Sequence, residues 1–214
     1  MVTIIDYGVG NLFSLESSFA FIGEDATVTS DPDAVRSAER LILPGVGAFG
    51  DAARKLRSSG MLKAVLDAAK SKIPLLGICL GMQLLFEKSY EYGEHEGLGL
   101  IRGSVRPMKG YIPNTEKIPQ IGWNSLSLTE RGRKCPIFED VKNGDFVYFV
   151  HSFYGAGCES ALTASVDCRG VPVTAAVWGE GPVFGTQFHP EKSGDVGLRI
   201  LKSFSKVPKG GTAL

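Results

Sequence analysis

The sequence carries no excess of charge of either sign. Its 214 residues include 23 basic and 23 acidic side chains, so the formal net charge is zero. Proteins that bind nucleic acid through its phosphates normally carry a basic surplus, and this balance argues against a nucleic-acid partner. No apolar run approaches the roughly 20 residues that a membrane-spanning helix needs. The sequence therefore predicts neither a nucleic-acid partner nor a membrane segment.

Cysteines are few, and none form a C-x-x-C pair; the four are Cys79, Cys135, Cys158 and Cys168. This spacing disfavours a zinc site or a disulfide framework, although Cys158 and Cys168 could meet across a hairpin. The opening residues MVTIIDYGVGNL lack the basic start of a secretory signal peptide. We therefore expect no metal, no cofactor and a cytoplasmic location.

The first ninety residues alternate apolar, strand-like runs with helical patterns. The predicted strands are 2–8, 26–30, 40–44 and 73–78, and the predicted helices are 10–23, 31–39, 51–72 and 80–89. Strands that alternate with helices favour a parallel sheet with helices packed on both faces. The sequence thus predicts a three-layer α/β fold with a mainly parallel central sheet.

The second half is richer in strands and turns. Residues 161–188 have the pattern of hairpins, with turns at Cys168-Arg169-Gly170 and at Gly179-Glu180-Gly181-Pro182. A last helix is predicted over 195–207, and 208–214 is predicted to be a flexible tail. We see no linker, so residues 1–207 are expected to form one domain with an added antiparallel, hairpin-rich second half.

A glycine-rich loop follows the third predicted strand. Residues 45–50, Gly-Val-Gly-Ala-Phe-Gly, fit the G-x-G-x-x-G pattern of dinucleotide-binding loops. The next strand, 73–78, ends without the Asp or Glu that would hold the ribose hydroxyls, and no G-K-[ST] follows. Nucleotide binding is therefore the weaker interpretation, and a glycine-rich turn without a ligand is the simple alternative.

Cys79 lies between Gly77 and Gly81, at a predicted junction between a strand and a helix. The pattern G-x-C-x-G is the thiol version of the nucleophile elbow, in which a sharp turn exposes the side chain and glycines let neighbouring backbone pass close. The alternative is a buried structural cysteine. The elbow pattern alone does not decide between the two.

A cysteine nucleophile needs a base, and the chain has only three histidines. His95 lies in a charged segment predicted to be a solvated loop, whereas His151 and His189 each follow a predicted strand. Pro190 restricts the chain after His189, so that Glu191 is expected to lie close to the imidazole and orient it. A structural His–Glu pair is the alternative, but together with the cysteine elbow a catalytic triad is favoured.

These motifs resemble those of the class I, triad-type glutamine amidotransferases. The segments that narrow the resemblance to the glutaminase subunits of imidazole glycerol phosphate synthase are DYGVGNL (6–12), LPGVGAF (43–49), GICLGMQ (77–83), IGWN (121–124), HSF (151–153) and FHPEKS (188–193). The resemblance covers nearly the whole chain. One small departure is Phe153, where an aromatic residue, often tyrosine, is usual.

The resemblance implies hydrolysis of glutamine through a cysteine thioester. Cys79 would attack the side-chain carboxamide, His189 would transfer the proton to the departing ammonia, and Glu191 would orient His189. Backbone N–H groups would stabilise the oxyanion, and further residues would bind glutamine. The oxyanion residues implied are Val46, Gly47 and Leu80, and the glutamine-binding residues are Gln83, His151 and Ser152.

The resemblance also implies a partner, a cyclase subunit with a (β/α)8 barrel, bound as a heterodimer. Ammonia would pass internally to that subunit, which would convert PRFAR to imidazole glycerol phosphate and AICAR in histidine biosynthesis. Trp123 and Lys192 are the expected interface residues, with a core tryptophan and a merely exposed lysine as the simpler alternatives.

Three other functions remain to be distinguished. Another class I amidotransferase, such as the glutaminase of pyridoxal phosphate synthesis, would share the triad but use a different partner. A stand-alone thiol hydrolase would be fully active without any partner. A non-catalytic binding module would not need Cys79, His189 and Glu191 together, which makes it the weakest of the three.

Overall fold

The computed structural model describes residues 1–211, in which short strands and helices alternate along the first half. The strands are β1 Val2–Ile5, β2 Ala26–Thr29, β3 Leu41–Leu43, β4 Leu75–Ile78, β5 Phe86–Ser89, β6 His95–Glu96, β7 Ile101–Pro107, β8 Gln120–Ser125, β9 Ser127–Leu128, β10 Phe146–His151, β11 Phe153–Ala156, β12 Leu162–Cys168, β13 Val171–Trp178 and β14 Val183–Thr186. The helices are α1 Leu12–Phe21, α2 Pro32–Ser37, α3 Phe49–Ser58, α4 Met61–Lys70, α5 Leu80–Leu84 and α6 Gly194–Ser205.

The main sheet has eight strands in the order β2-β1-β3-β4-β14-β13-β12-β9. The five strands from β2 to β14 are parallel, and the remaining strands join them in antiparallel pairs. The predicted mainly parallel α/β sheet is confirmed. The hairpins predicted in the second half are also present, and β12, β13 and β14 extend the main sheet.

Helices cover both faces of the main sheet, as the sequence pattern predicts. On one face α1 and α6 bury Leu15, Phe19 and Phe204, and on the other α3 and α4 bury Leu56 and Val65. Full burial of an aliphatic or aromatic side chain contributes about 2 kcal/mol, so these two apolar layers hold the sheet between them. Two smaller sheets, β10-β8 and β11-β7-β5-β6, complete the fold.

The single helix predicted over 51–72 is wrong, because the structure has two helices there. Helix α3 ends at Ser58, and Gly60 precedes α4 with a φ of +77°. This left-handed conformation interrupts the helical hydrogen bonds and is available to glycine at little cost. The short helix α2 lies within its predicted range, 31–39, and it begins where the Asp31 side chain accepts a hydrogen bond from the Asp33 N–H and Pro32 occupies the first turn.

The helix predicted over 80–89 is also wrong in its second half. Helix α5 ends at Leu84, and Phe86–Ser89 forms strand β5, which pairs in parallel with β7. The carbonyls of Leu84 and Leu85 accept hydrogen bonds from Leu98 and Leu100 instead of continuing the helix. The run Leu-Leu-Phe fits a helix locally, and the competing strand pairing is with residues that follow later in the chain.

All four cysteines are free, so the pairing of Cys158 with Cys168 does not form. Strand β12 runs from Leu162 to Cys168. Cys168 is the last residue of that strand, whereas Cys158 lies before its first residue, so the two cysteines are at opposite ends of it. The predicted tail, 208–214, lies partly outside the described residues, which end at 211. Within it, the Gly210 N–H donates to the Lys72 carbonyl at 2.9 Å. No helix in the described range 1–211 is long and apolar enough to span a membrane.

Candidate active site

The candidate site lies where three neighbouring parallel strands end. β3 leads into Pro44–Gly47, β4 leads into Cys79, and β14 leads through Gln187 and Phe188 into His189. Because the carboxyl ends of parallel strands lie at the same edge of the sheet, the loops after them meet there. This order, β3-β4-β14, places Cys79 between the glycine-rich loop and the histidine.

Cys79 has the backbone of a nucleophile elbow. Its φ of +54° and ψ of −110° lie where residues other than glycine are rarely found. A Cβ at Gly81 would lie 1.8 Å from the Leu43 carbonyl oxygen, and one at Gly77 would lie 2.6 Å from the Gly81 carbonyl oxygen. Both positions therefore require glycine, as the G-x-C-x-G pattern predicts.

His189 and Glu191 form a buried hydrogen-bonded pair. Nδ1 of His189 lies 2.7 Å from Oε1 of Glu191, and the side chains are 3% and 2% exposed. Pro190 begins a short 3₁₀ turn, Pro190–Lys192, which folds Glu191 back beneath the imidazole. The close approach predicted from the sequence H-P-E is confirmed.

The charge of His189 is controlled by its neighbours. Burial alone would lower its pKa, but attraction to the Cys79 sulfur and the Glu191 carboxylate outweighs burial and raises the pKa to about 10. Nε2 makes no hydrogen bond within the described part of the chain. The arrangement therefore favours an imidazolium at His189, whose Nε2 is available to a substrate.

His151 lies in the same cavity but in a different electrostatic state. Burial lowers its pKa to about 4, despite the hydrogen bond from Nδ1 to the Phe153 carbonyl at 2.8 Å, and the charge of His189 adds to the lowering. The Gln120 side-chain amide lies 3.0 Å from Nε2. A neutral ring held at both nitrogens is poorly suited to proton transfer, which distinguishes His151 from His189.

The glycine-rich loop packs directly on the elbow. A Cβ at Gly45 would lie 2.9 Å from the Gly81 N and 3.0 Å from the hydroxyl oxygen of Tyr7, which donates to the Pro44 carbonyl at 2.8 Å. Gly47 has a φ of +92° and open space around it, so a side chain there would be strained by the backbone alone. The loop thus contacts the turn that carries Cys79.

A cavity of about 370 Å³ connects these elements. It is lined by eight of the residues predicted for the site, namely Val46, Gly47, Cys79, Leu80, Gln83, His151, Ser152 and His189. Glu191 lies behind His189. The structure therefore brings the predicted nucleophile, base, oxyanion and glutamine-binding residues to one cavity, and it leaves the role of each as a prediction.

The two residues predicted for a partner interface lie outside the cavity. Trp123, on β8, is 52% exposed and packs edge-on against Tyr148 at 6.1 Å between ring centroids. Lys192 ends the 3₁₀ turn after Glu191 and is exposed. The alternative of a core tryptophan is wrong.

Sequence reasoning missed two polar residues of the site. Glu91 is 8% exposed, lines the cavity, and accepts a hydrogen bond from the Phe49 N–H at 2.6 Å; burial raises its pKa, against the effects of that N–H and of His95. Gln187 is fully buried, with Nε2 3.7 Å from the Cys79 sulfur. No motif signals Glu91, whereas Gln187 precedes the His189 segment by a single residue and could have been examined with it.

His95 is not in a solvated loop. It lies in β6, and a Cβ at Gly50 would lie 2.7 Å from its ring. The ring therefore packs on the first turn of α3. Among residues 1–211, no group of three or more His, Cys, Asp or Glu side chains is arranged to hold a metal ion.

The two buried histidines should give stability a maximum near pH 6.5. The pKa of His151 is about 4 in the folded chain and 6.5 ordinarily, so the unfolded chain takes up a proton first as the pH falls between these values. Stability is then lost, by about 3 kcal/mol at most. The pKa of His189 is raised to about 10, so its contribution is complete below pH 6.5 and is lost as the pH rises towards 10.

This pH dependence can be measured by urea unfolding across that range. In His151→Gln the loss of stability on the acid side should be about 3 kcal/mol smaller than in the original chain, while the alkaline side is unchanged. His189→Asn should flatten the alkaline side and, because the charge of His189 contributes to the lowered pKa of His151, should also make the acid-side loss slightly smaller. If stability falls equally steeply with decreasing pH in the original chain and in His151→Gln, the assignment of the acid-side loss to His151 is contradicted.

Comparison with protein families matches residues 3–206 to the model described as "Glutamine amidotransferase class-I". Curated relatives match over nearly the full length. A protein of Caldanaerobacter subterraneus subsp. tengcongensis is 47% identical over 209 residues, covering 98% of this chain and 99% of the relative, and one of Wolinella succinogenes is 47% identical over 208 residues, covering 97% and 100%. Both are named "Imidazole glycerol phosphate synthase subunit HisH".

Among solved structures, the fold is similar to one titled "Structure of PurLQS from Thermotoga maritima". The TM-score is 0.72, with 20% sequence identity over 95% of this chain and 96% of that chain. At this identity the likeness establishes the fold alone. It agrees with the three-layer arrangement described above.

Proposed function

The chain belongs to the class I glutamine amidotransferases, and we propose that it is the glutaminase subunit of an imidazole glycerol phosphate synthase, as its relatives are named. In this function it hydrolyses glutamine to glutamate and ammonia. The observation that carries the proposal is the elbow at Cys79, which shares one cavity with the buried pair His189–Glu191.

The reaction starts with the thiolate of Cys79 and the imidazolium of His189. The sulfur attacks the carboxamide carbon of glutamine, and the carbonyl electrons move to oxygen. When the tetrahedral intermediate collapses, the C–N bond breaks and His189 gives its proton to the nitrogen, so that ammonia leaves and a glutamyl thioester remains. His189, now neutral, takes a proton from water as the water attacks the thioester, and glutamate leaves as the thiolate re-forms.

Glu191 supports both halves of this cycle. Its Oε1, 2.7 Å from Nδ1 of His189, fixes the ring orientation and stabilises the imidazolium form. The same contact leaves Nε2 as the nitrogen that exchanges protons with substrate. Glu191 is therefore proposed as a triad member that acts through His189.

The oxyanion is proposed to bind between the glycine-rich loop and the elbow. Val46, Gly47 and Leu80 line the cavity beside Cys79, and their backbone N–H groups are the proposed donors to the developing negative oxygen. Gly47 has open space around it, so its peptide can reorient with little steric cost. Reorientation of this peptide would turn its N–H group towards the oxyanion or away from it.

Glutamine is proposed to be held by Gln83, His151 and Ser152, together with Glu91. Both amide hydrogens of Gln83 are engaged, by the Phe153 carbonyl at 3.2 Å and by Gln187 at 3.0 Å, so Gln83 meets substrate through its carbonyl oxygen. Glu91 offers a buried carboxylate to the cavity. A carboxylate is the natural partner for the α-ammonium group of a free amino acid.

The partner is proposed to be a cyclase subunit with a (β/α)8 barrel, bound as a heterodimer over the cavity. One face of the hairpin-like pair β8–β10 exposes apolar side chains, and we call it the outer hairpin face; its members are Ile121, Trp123, Phe146 and Val150. Val150 also lines the cavity, so this surface runs up to the site. Contiguous exposed apolar residues commonly mark protein interfaces.

The products of the complex are proposed from the family resemblance and not from the geometry. Ammonia passed to the cyclase is proposed to react with PRFAR, which gives imidazole glycerol phosphate and AICAR in histidine biosynthesis. Internal transfer keeps ammonia unprotonated, since the ammonium ion that forms in water is not a nucleophile. Docking over the cavity therefore has a chemical reason.

The function is tested by measuring glutamine hydrolysis in the isolated chain, in the complex with the cyclase, and in the complex with PRFAR. We expect the isolated chain to be slow and the loaded complex to be about 100- to 1000-fold faster, the size of effect that one missing oxyanion donor produces. Equal rates in all three would rule out gating, and no hydrolysis in any would contradict the function.

The same assay tests the two proposed interface residues. Trp123→Ala and Lys192→Ala should reduce the stimulation by PRFAR, while Phe13→Ala, at a more exposed aromatic on α1, should leave it intact. Stimulation that survives both interface variants would show that other residues carry the signal.

A further inference from the structure

A glutamine that no motif identified approaches the nucleophile from inside the fold. Gln187 lies directly after β14, and its backbone N–H donates to the Ala175 carbonyl at 2.8 Å, which fixes its position at the strand end. The side chain is fully buried, and Nε2 lies 3.7 Å from the Cys79 sulfur in hydrogen-bond geometry. A buried amide at this place is costly unless both its ends are paired.

The orientation of the Gln187 amide is fixed, through Gln83, by a backbone carbonyl. Gln83 Nε2 lies 3.2 Å from the Phe153 carbonyl oxygen, which can only accept, so the NH₂ group of Gln83 faces it. The same NH₂ group donates to Gln187 Oε1 at 3.0 Å. Gln187 must then turn its own NH₂ group towards the sulfur, so the two amides form a directed chain that ends on Cys79.

We propose that Gln187 is a catalytic residue, which donates a hydrogen bond to the thiolate of Cys79 and is held in that orientation by Gln83. The proposal rests on Cys79 being the nucleophile of the function proposed above. A hydrogen bond to the charged form favours that form, and such bonds are stronger than those between neutral groups. Gln187 therefore increases the thiolate fraction and fixes the direction of the sulfur.

The chain also links the substrate to the nucleophile. Gln83 lines the cavity and is proposed to contact glutamine through its carbonyl oxygen, while its NH₂ group orients Gln187. A displacement of Gln83 would therefore move Gln187 and change its hydrogen bond to the Cys79 sulfur. This gives Gln83 a second role, as a positioning residue for Gln187.

Replacement of Gln187 tests hydrogen bonding separately from charge. Several titratable groups surround the cavity and the sulfur, namely Tyr7, Glu91, His151, His189 and Glu191. Gln187 itself is uncharged, so Gln187→Met keeps the approximate side-chain length and the net charge but removes the donor. Any change in the ionisation of Cys79 then reports the lost hydrogen bond.

The experiment is the pH dependence of alkylation of Cys79 by iodoacetamide in the full chain, with the modified cysteine identified by peptide mass spectrometry. In Gln187→Met the apparent pKa of Cys79 should rise by about one to two units, the equivalent of one hydrogen bond to a charged group. Gln187→Glu should raise it further, because a carboxylate would face the thiolate. In the complex, kcat/KM for glutamine should fall about 10- to 100-fold in Gln187→Met.

Thr186→Val is the matched control. Thr186 is the fully buried neighbour on β14, and its hydroxyl has no hydrogen-bond partner within residues 1–211. The change is nearly isosteric and should leave the apparent pKa of Cys79 where it was. A shift of the same size in this variant would mean that any disturbance of the strand end alters the sulfur, and would overturn the proposal.

An unchanged apparent pKa in Gln187→Met would also overturn it. If that variant does not fold, Gln83→Met decides, since loss of the anchor should raise the apparent pKa in the same direction by a smaller amount, and no rise would refute the chain. Alkylation needs neither glutamine nor the partner. The proposed function can therefore fail in the glutaminase assay without affecting this result, and the reverse also holds.

Discussion

Cys79→Ala is expected to reduce glutamine hydrolysis below detection, with kcat lowered by up to about a millionfold, as happens when a triad nucleophile is removed. Without the sulfur no thioester can form, and the remaining cavity only binds substrate. Alanine keeps the Cβ and the backbone preference of the original residue, so the strained φ of +54° costs no more than before. We therefore expect thermal stability and binding to the cyclase to be unchanged.

A second buried cysteine provides the control for this variant. Cys158 is 3% exposed, compared with 7% for Cys79, and it lies outside the cavity. Cys158→Ala makes the same chemical change and should retain activity. Turnover in Cys79→Ala at the rate of the original complex would contradict the assignment of Cys79 as the nucleophile.

His189→Asn is expected to lower kcat by about four to six orders of magnitude, because members of a triad act as a unit. Asparagine preserves much of the shape but cannot exchange a proton with the thiol and the leaving ammonia. In His151→Ala, by comparison, the main effect should be a higher KM for glutamine. His151 has a pKa lowered to about 4 by burial, so it is already neutral and we expect it to take no part in proton transfer.

The two histidine variants are compared in the complex, at saturating glutamine, with kcat and KM determined separately. The predicted pattern is a loss of kcat for His189→Asn and a rise in KM for His151→Ala. The reverse pattern would assign the base to His151. Thermal unfolding of both variants separates these effects from loss of the fold.

The residues that the sequence identifies correctly are those whose signal is local. Gly77 and Gly81 are required by close approach of backbone within and beside a single turn, and this leaves the pattern G-x-C-x-G. Glu191 meets His189 only two residues away, across Pro190. In the same way, Asp31 and Pro32 mark the start of α2 because capping involves adjacent residues.

The features that the sequence does not reveal depend on contacts between distant segments. The second half of the predicted helix over 80–89 becomes strand β5, because Phe86 pairs with Ile101 on β7. Gln187 contacts Cys79 across 108 positions of the chain, and Glu91 reaches the cavity by accepting a hydrogen bond from Phe49, 42 positions earlier. No periodicity or short motif contains these pairings.

The most direct test of the central claim is labelling of the complex with diazo-oxo-norleucine, a glutamine-like electrophile, followed by peptide mass spectrometry. A reagent that resembles the substrate must bind in the glutamine site and react with the sulfur that attacks glutamine. We predict a single adduct on Cys79, loss of glutamine hydrolysis in proportion to labelling, and protection by glutamine. An adduct on Cys135, Cys158 or Cys168 that accounts for the loss of activity, with Cys79 unmodified, would contradict the account.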